Sequence, residues 1–220
     1  MKARRYDLLA ALLAYPAEDY PAALNRCMLA LDSRDGGAGQ ILAPLREKTQ
    51  EMSVAEIQEM YTRTFDINPV CTLEVGWHIY GEDYARGALL VKMREMLREH
   101  KLTESQELPD HLTHVLALLG RLEGEEAAQL AGRYALPALE KMLDGMDGAE
   151  FPYRALLEAV SAVIRQDHDV EPVAPRERRG DPPDWNRRLP MVGGLNKELS
   201  GRRGPDSSRT HGRRGSHELR

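Results

Sequence analysis

The sequence predicts an all-α protein, a single globular multi-helix domain over residues 1–168 with a disordered C-terminal tail over 169–220. Three observations predict it. Apolar residues recur at three- and four-residue spacing through most of the first 168 positions. Val and Ile are few, and no stretch alternates in the manner of a half-buried strand. Helix starts and stops are marked by proline, glycine and a Ser-x-x-Glu box.

In chain order, Arg5–Tyr15 sets Tyr6, Leu9, Leu12 and Leu13 on one face, and Pro16 ends that helix. Its basic start and apolar run look like a signal peptide. Asp7 interrupts the run, however, and no small-residue cleavage site follows Tyr15-Pro16, so it reads as a first helix. Pro21 suits the first position of a second helix carrying Leu24, Met28 and Leu31. Asp35–Gly39 (DGGAG) reads as a loop, because no strand precedes it and no Lys-Ser/Thr follows to make a phosphate loop. A third helix is expected over Ile41–Met52. Ser53 and Glu56 form a capping box for a helix bearing Val54, Ile57, Met60, Tyr61 and Thr64, which Asn68-Pro69 stops. A helix from about Glu82 to His100 has apolar residues all round, as a central helix would. Pro109 is placed to start a helix running through Leu112, Val115, Leu116, Leu118 and Leu119, and Gly120–Gly124 breaks it. Ala127–Met146 is helical with a kink or break at Pro137, and Phe151–Gln166 is the last clear helix. Seven to nine helices result.

The tail lacks periodicity and is rich in Pro, Gly, Ser and Arg, a composition that cannot bury a core. Charge divides at the same place. Residues 170–220 carry 12 Lys+Arg against 7 Asp+Glu, and residues 1–169 carry 18 against 28. The acidic body does not attract nucleic acid, so only the tail offers a polyanion surface, and a solubilising role fits it better. No run of about 18 apolar residues is present, so no membrane insertion is expected. Cys27 and Cys71 are far apart and lack CxxC spacing, which argues against a disulfide framework or thiolate metal site and fits a reducing cytoplasm.

Two stretches stand out for chemistry, Tyr61–Gly87 (YTRTFDINPVCTLEVGWHIYGEDYARG) and Leu108–Leu116 (LPDHLTHVL). His78 with Glu82, Glu107 with His111, and His111 with His114 have spacings that can share a helical face, which keeps a metal-dependent hydrolase using His78, Glu82, His111 and His114 as an alternative. Against it, the body contains no Glu-x-x-His of the helical di-iron kind, and Pro109 interrupts the Glu107–His111 pair. No Ser or Cys is set up as a nucleophile, and Asp110 and His111, as neighbours on a helix, would point about 100° apart. Asp110 is expected in the first turn of a helix, where free amides favour a carboxylate. No catalytic residue, metal or cofactor is therefore assigned. The aromatics mixed with charge suit instead a groove for an amphipathic peptide. The residues assigned to it are Tyr61, Phe65, Trp77, His78, Tyr80, Glu82, Asp83, Arg86, Asp110 and His111. Arg86 has a competing structural role, as a surface pair with Glu82 four residues earlier.

Taken together, Tyr61-Thr62-x-Thr64-Phe65-Asp66, then His78, Gly81, Glu82, Arg86 and Gly87, then Leu108-Pro109-Asp110-His111-Leu112 resemble the motifs of the NarJ nitrate reductase assembly chaperones, within the wider TorD-like group. The resemblance covers about Arg5–Gln166. Two positions depart from it: Tyr80 replaces a second histidine and Thr113 a second proline. The resemblance implies a TorD-like helical fold and a cytoplasmic, non-catalytic chaperone that binds the N-terminal segment of the apo catalytic (alpha) subunit of a respiratory nitrate reductase. Such a chaperone holds its client for insertion of the molybdenum cofactor, molybdopterin guanine dinucleotide, and holds no cofactor itself. It leaves open contact with molybdenum cofactor biosynthesis proteins, and another molybdoenzyme as client.

Overall fold

Eleven α-helices and two π-helical turns make up the regular structure of the described residues, which in this computed structural model are 2–32, 37–146 and 151–170. Among them the sole β-type pairing is an isolated antiparallel bridge between Glu74 and His111. The helices are α1 (Lys2–Leu13), α2 (Tyr20–Asp32), α3 (Ala38–Ile41), α4 (Ala43–Thr49), α5 (Val54–Tyr61), α6 (Val75–Tyr80), α7 (Tyr84–Glu99), α8 (Leu112–Leu119), α9 (Gly124–Leu130), α10 (Leu136–Asp144) and α11 (Arg154–His168). The chain is all-α, as its periodicity predicts, with more and shorter helices than expected. The expected tail lies outside the described residues, apart from Asp169 and Val170.

The differences have local causes. The helix expected over Ile41–Met52 is two pieces, α3 and α4, hinged at Leu42, because Pro44 has no N–H to continue the ladder and its ring crowds the preceding turn. Ala38 and Gly39, expected in a loop, open α3; residues 33–36 of that region lie outside the described residues. The capping box forms as expected: Ser53 Oγ accepts from the Glu56 amide at 3.3 Å, and the Glu56 carboxylate accepts from the Ser53 amide at 2.8 Å. That helix does not stay α-helical to its end. It widens into a π-helical turn over Thr62–Asp66. A second π-helical turn, Ala131–Ala135, joins α9 to α10 just before Pro137, where a break is expected.

The buried centre is α8, not α7. Leu112, His114, Val115, Leu116, Leu118 and Leu119 are all buried in α8. In α7 only Leu89, Met93, Met96 and Leu97 are buried, while Tyr84 is 95% and Val91 58% exposed, so α7 is amphipathic and lies at the surface. Helix α1 packs on α8 and α2, α6 packs on α7 and α10, and α11 packs on α3 and α10. An aromatic group joins these layers. Tyr153 at the start of α11 meets Tyr20, Tyr61 and Phe65 edge-on, at centroid distances of 6.5, 5.9 and 5.0 Å. Arg5 of α1 and Asp167 of α11 close the layers with a nearly buried ion pair at 2.6 Å. Cys27 and Cys71 are buried and free, and burial pushes the Cys27 thiol up to about 12.

The α1–α8 crossing depends on Gly120, which follows α8. A Cβ there would stand 3.1 Å from the Cα of Ala3 and 3.1 Å from the Cβ of Tyr6. Gly120→Val therefore pushes α1 off the central helix and costs about 1–3 kcal/mol. Urea unfolding followed by circular dichroism measures this, and an unchanged midpoint would show that the crossing yields freely.

Candidate functional site

The two motif stretches meet in space through backbone. The Val75 amide donates to the Asp110 carbonyl at 2.9 Å, and the Leu112 amide donates to the Leu73 carbonyl at 2.8 Å. This short pairing brings Thr72–Glu74 alongside Glu107–His111. The α8 start lies later than Pro109 predicts: His111 is the N-cap, and Leu108–Asp110 form a turn before it. Asp110 is thus not in the first turn of α8. It serves a different helix.

The Asp110 side chain is fully buried and accepts from the Gly76 amide of α6 at 3.0 Å. Glu74, the N-cap residue of α6, makes no capping bond with its own side chain, so Asp110 supplies the cap from 34 residues away. Gly76 is what allows it: a Cβ there would fall 2.6 Å from Asp110 Oδ2. Arg86 donates from Nε to the same oxygen at 3.2 Å and lies over Trp77, with Cζ 5.8 Å from the ring centroid. The surface pair of Arg86 with Glu82 does not form, because α7 begins at Tyr84 and Glu82 lies outside the helix. Asp83 caps α7 by accepting from the Ala85 amide at 2.9 Å.

Beside this hub opens a cleft of about 350 Å³ lined by Tyr15, Tyr61, Phe65, Asp66, Thr72, Leu73, Glu74, Glu107 and His111. Its floor belongs to the core. Tyr61 is 5% and Phe65 3% exposed, and the Tyr61 hydroxyl donates to the Leu13 carbonyl at 2.9 Å. Its rim is open: Tyr15, edge-on to Tyr61 at 5.6 Å, is 57% exposed, and Ile67 and Leu108 beside the lining residues are 70% and 44% exposed. Burial raises the Glu74 carboxyl, and the like charges of Asp110 and Glu107 raise it further; Thr72 donates its hydroxyl to that carboxylate.

Of the ten residues assigned to a groove from sequence, the cleft gathers Tyr61, Phe65 and His111. Asp110, Arg86 and Trp77 form the support behind its wall. His78 is buried in α6, its Nε2 against the Thr72 carbonyl at 2.7 Å. Tyr80 is half-buried, and Glu82 and Asp83 stand exposed in the turn between α6 and α7. Tyr15, Asp66, Thr72, Leu73, Glu74 and Glu107 line the cleft without having been assigned to it. Asp66, Thr72, Leu73 and Glu74 sit inside the Tyr61–Gly87 stretch and Glu107 stands out by its spacing to His111, but Tyr15 carried no such signal. The hydrolase constellation is not assembled: among the described residues no three His, Cys, Asp or Glu side chains are grouped to hold a metal ion. His114 has both ring nitrogens engaged, with the Leu108 carbonyl at 2.9 Å and the Ser105 amide at 3.1 Å.

Comparison with known proteins adds a family to this geometry. Residues 31–153, more than half of the chain, match the model described as nitrate reductase delta subunit. The chain belongs to that family. Over 143 residues it is 29% identical to the nitrate reductase molybdenum cofactor assembly chaperone NarJ of Escherichia coli K12, and equally to that of E. coli O157:H7. The alignment takes in 63% of this chain and 60% of each relative, so less than two thirds of the relatives' length is spanned.

Two outcomes follow from the hub and its histidines. Asp110→Ala removes the α6 cap and leaves Arg86 without its carboxylate, at a cost of about 3–5 kcal/mol in urea unfolding. Arg86→Ala added to that variant costs little more, and full additivity of the two would break the assigned coupling. His111 is held neutral by burial and by its neighbour His114, which bring it down to about 4. Between the usual histidine value near 6.5 and about 4 the unfolded chain binds the extra proton. Stability is therefore full above about pH 6.5 and falls as pH drops towards 4, with Tm down by roughly 5–10 °C. His111→Asn keeps a capping side chain and flattens that slope; a slope equal to that of the unmodified protein would exclude His111 as its source.

Proposed function

We propose that this chain is a molybdoenzyme assembly chaperone whose client is the catalytic subunit of a respiratory nitrate reductase. It binds the N-terminal segment of the apo-subunit in the cleft beside Asp110 and holds the subunit for molybdenum cofactor insertion, without catalysis of its own. One observation carries the reading: the family-matched segment, residues 31–153, contains every cleft-lining residue except Tyr15. The family match and a concave surface that combines aromatic walls, open apolar rim residues and negative charge therefore fall on the same stretch of chain. The relatives' name supports the client class, since it states nitrate reductase and molybdenum cofactor assembly of them. None of the described helices is long and apolar enough to cross a membrane, which suits a chaperone working on a subunit before it is docked.

The physical division of labour follows from exposure. Tyr61 and Phe65 are almost wholly buried, while Tyr15, Ile67 and Leu108 have apolar surface to lose on binding. Calorimetric titration of the N-terminal peptide of the nitrate reductase catalytic subunit from the same genome into the full chain tests the reading. Saturable one-to-one binding is expected, weakened by about 1 kcal/mol or more in Tyr15→Ala with an unchanged melting temperature. Absence of saturable binding to folded protein would overturn it.

A further inference from the structure

The first half of α7 turns an apolar face to water, where a surface helix is ordinarily polar. Tyr84 is 95% and Val91 58% exposed, and Ala88 is exposed between them. Their spacing, i, i+4 and i+7, makes them one ridge, with exposed Gly87 beside it. The buried face of α7, with Leu89, Met93, Met96 and Leu97, is the opposite one, and it packs on α6 and α8. Gly87 is not required by this chain's own packing. A Cβ there would meet nothing within 4 Å, and its φ is not among the positive ones. Only proline is a poorer helix former than glycine in a helix interior. What a glycine does provide at that place is a low surface that another backbone can approach closely. None of the residues of α7 lines the cleft, so this face is a separate surface.

We propose that the Tyr84–Val91 face of α7 is a self-association surface, covered by α7 of a second copy of this chain packed antiparallel to it. The pattern of the face is self-complementary. Under a two-fold axis passing between Gly87 and Ala88, Tyr84 meets Val91 of the second copy, and Gly87 meets Ala88 where the two helix axes come closest. Charge selects the same arrangement. At about 100° per residue, Asp83, Gly87 and Arg94 share one flank of the ridge. The two-fold axis sets that flank against its own copy, so Asp83 comes opposite Arg94, and symmetry makes the contact twice. Glu95 and Glu99 fall beyond the start of the opposite helix. Arg94 also pairs with Glu104 at 2.7 Å, and its side chain is still 47% exposed, which leaves part of the guanidinium open to a second carboxylate. A parallel pair would instead set Asp83 level with Asp83 and Arg94 level with Arg94, and it would align the helix dipoles unfavourably. The face of one helix is smaller than the about 1,200 Å² of a stable complex, so the association is reversible and depends on concentration.

Sedimentation velocity of the full chain over a range of loadings is expected to show a monomer–dimer equilibrium. Val91→Glu, at an exposed position, is expected to weaken the dimer about tenfold or more with unchanged circular dichroism and melting temperature. Leu29→Glu, at a position 74% exposed on α2, leaves the equilibrium as it was. Gly87→Leu fills the crossing point, and is expected to raise the melting temperature of the monomer while weakening the dimer. Oxidative cross-linking reads the orientation. Ala88→Cys, beside the two-fold axis, is expected to give a disulfide-linked dimer, and Arg98→Cys, about 30 Å from its counterpart across the axis, to give none. The native Cys27 and Cys71 are buried and do not compete. A monomer at every loading, a dimer indifferent to Val91→Glu, or cross-linking at Arg98→Cys as strong as at Ala88→Cys would overturn the surface. So would a chain that stays monomeric while the nitrate reductase peptide shields Ala88→Cys from a thiol reagent, which would give the face to the client instead.

Discussion

A carboxylate with no exposure to water, that of Asp110, is the constraint on which the rest of the site depends. Burying a charge is unfavourable by several kcal/mol unless partners replace the lost water. Here the replacements are one amide of α6 and one guanidinium N–H of α7, and the second oxygen, Oδ1, has none. The arrangement is therefore under-satisfied, and stability alone does not account for it. What it does achieve is placement. Its backbone carbonyl takes the Val75 amide and its side chain takes the next amide, so a single residue fixes where α6 begins and at what distance the α8 turn lies from it. Both walls of the cleft are consequences of that one contact.

The same economy appears in the histidines. His111 caps α8, and His114 holds the turn before it through Ser105 and Leu108. Each works as a neutral ring. With its Nδ1 against a carbonyl, His114 must donate there and accept from the Ser105 amide at Nε2, a pattern that an imidazolium cannot keep. A histidine cluster that looks like a ligand set on paper is thus a set of local backbone staples, and its chemistry is spent on shaping the wall that carries Glu107.

How much of this was legible in the sequence depended on range. The Ser53–Glu56 box, the stop at Asn68-Pro69 and the break near Pro137 are decided within a few residues, and all form as read. The Asp110–Gly76 cap spans 34 residues and leaves no periodic trace, so Asp110 reads as a first-turn acid of the nearest helix. Helix α7 reads as central because Tyr84 and Val91 complete an apolar circuit, yet both face outward. The aromatics of the Tyr61–Phe65 run were rightly marked as distinctive, while the acids that give the cleft its charge were not assigned to it. Isolated acids in turns look like any solvated surface until the fold brings them together.

The distribution of exposure also decides where discrimination between clients would reside. Tyr61 and Phe65 pack on Tyr153, and Tyr61 anchors the end of α1 through Leu13, so altering them disturbs the core before it alters recognition. Asp66, Ile67, Glu107 and Leu108 stand open at the rim, and Tyr15, though edge-on to Tyr61, is more than half exposed. Tyr15 in addition lies just after α1, outside the family-matched residues 31–153. A chain can therefore keep the family's floor, with its Asp110 hub, and change what it recognises by changing rim residues alone, because those substitutions leave the buried aromatic packing untouched. Under the proposed function, client choice would rest on the rim residues Tyr15, Asp66 and Glu107, the last two of which lie inside the matched segment.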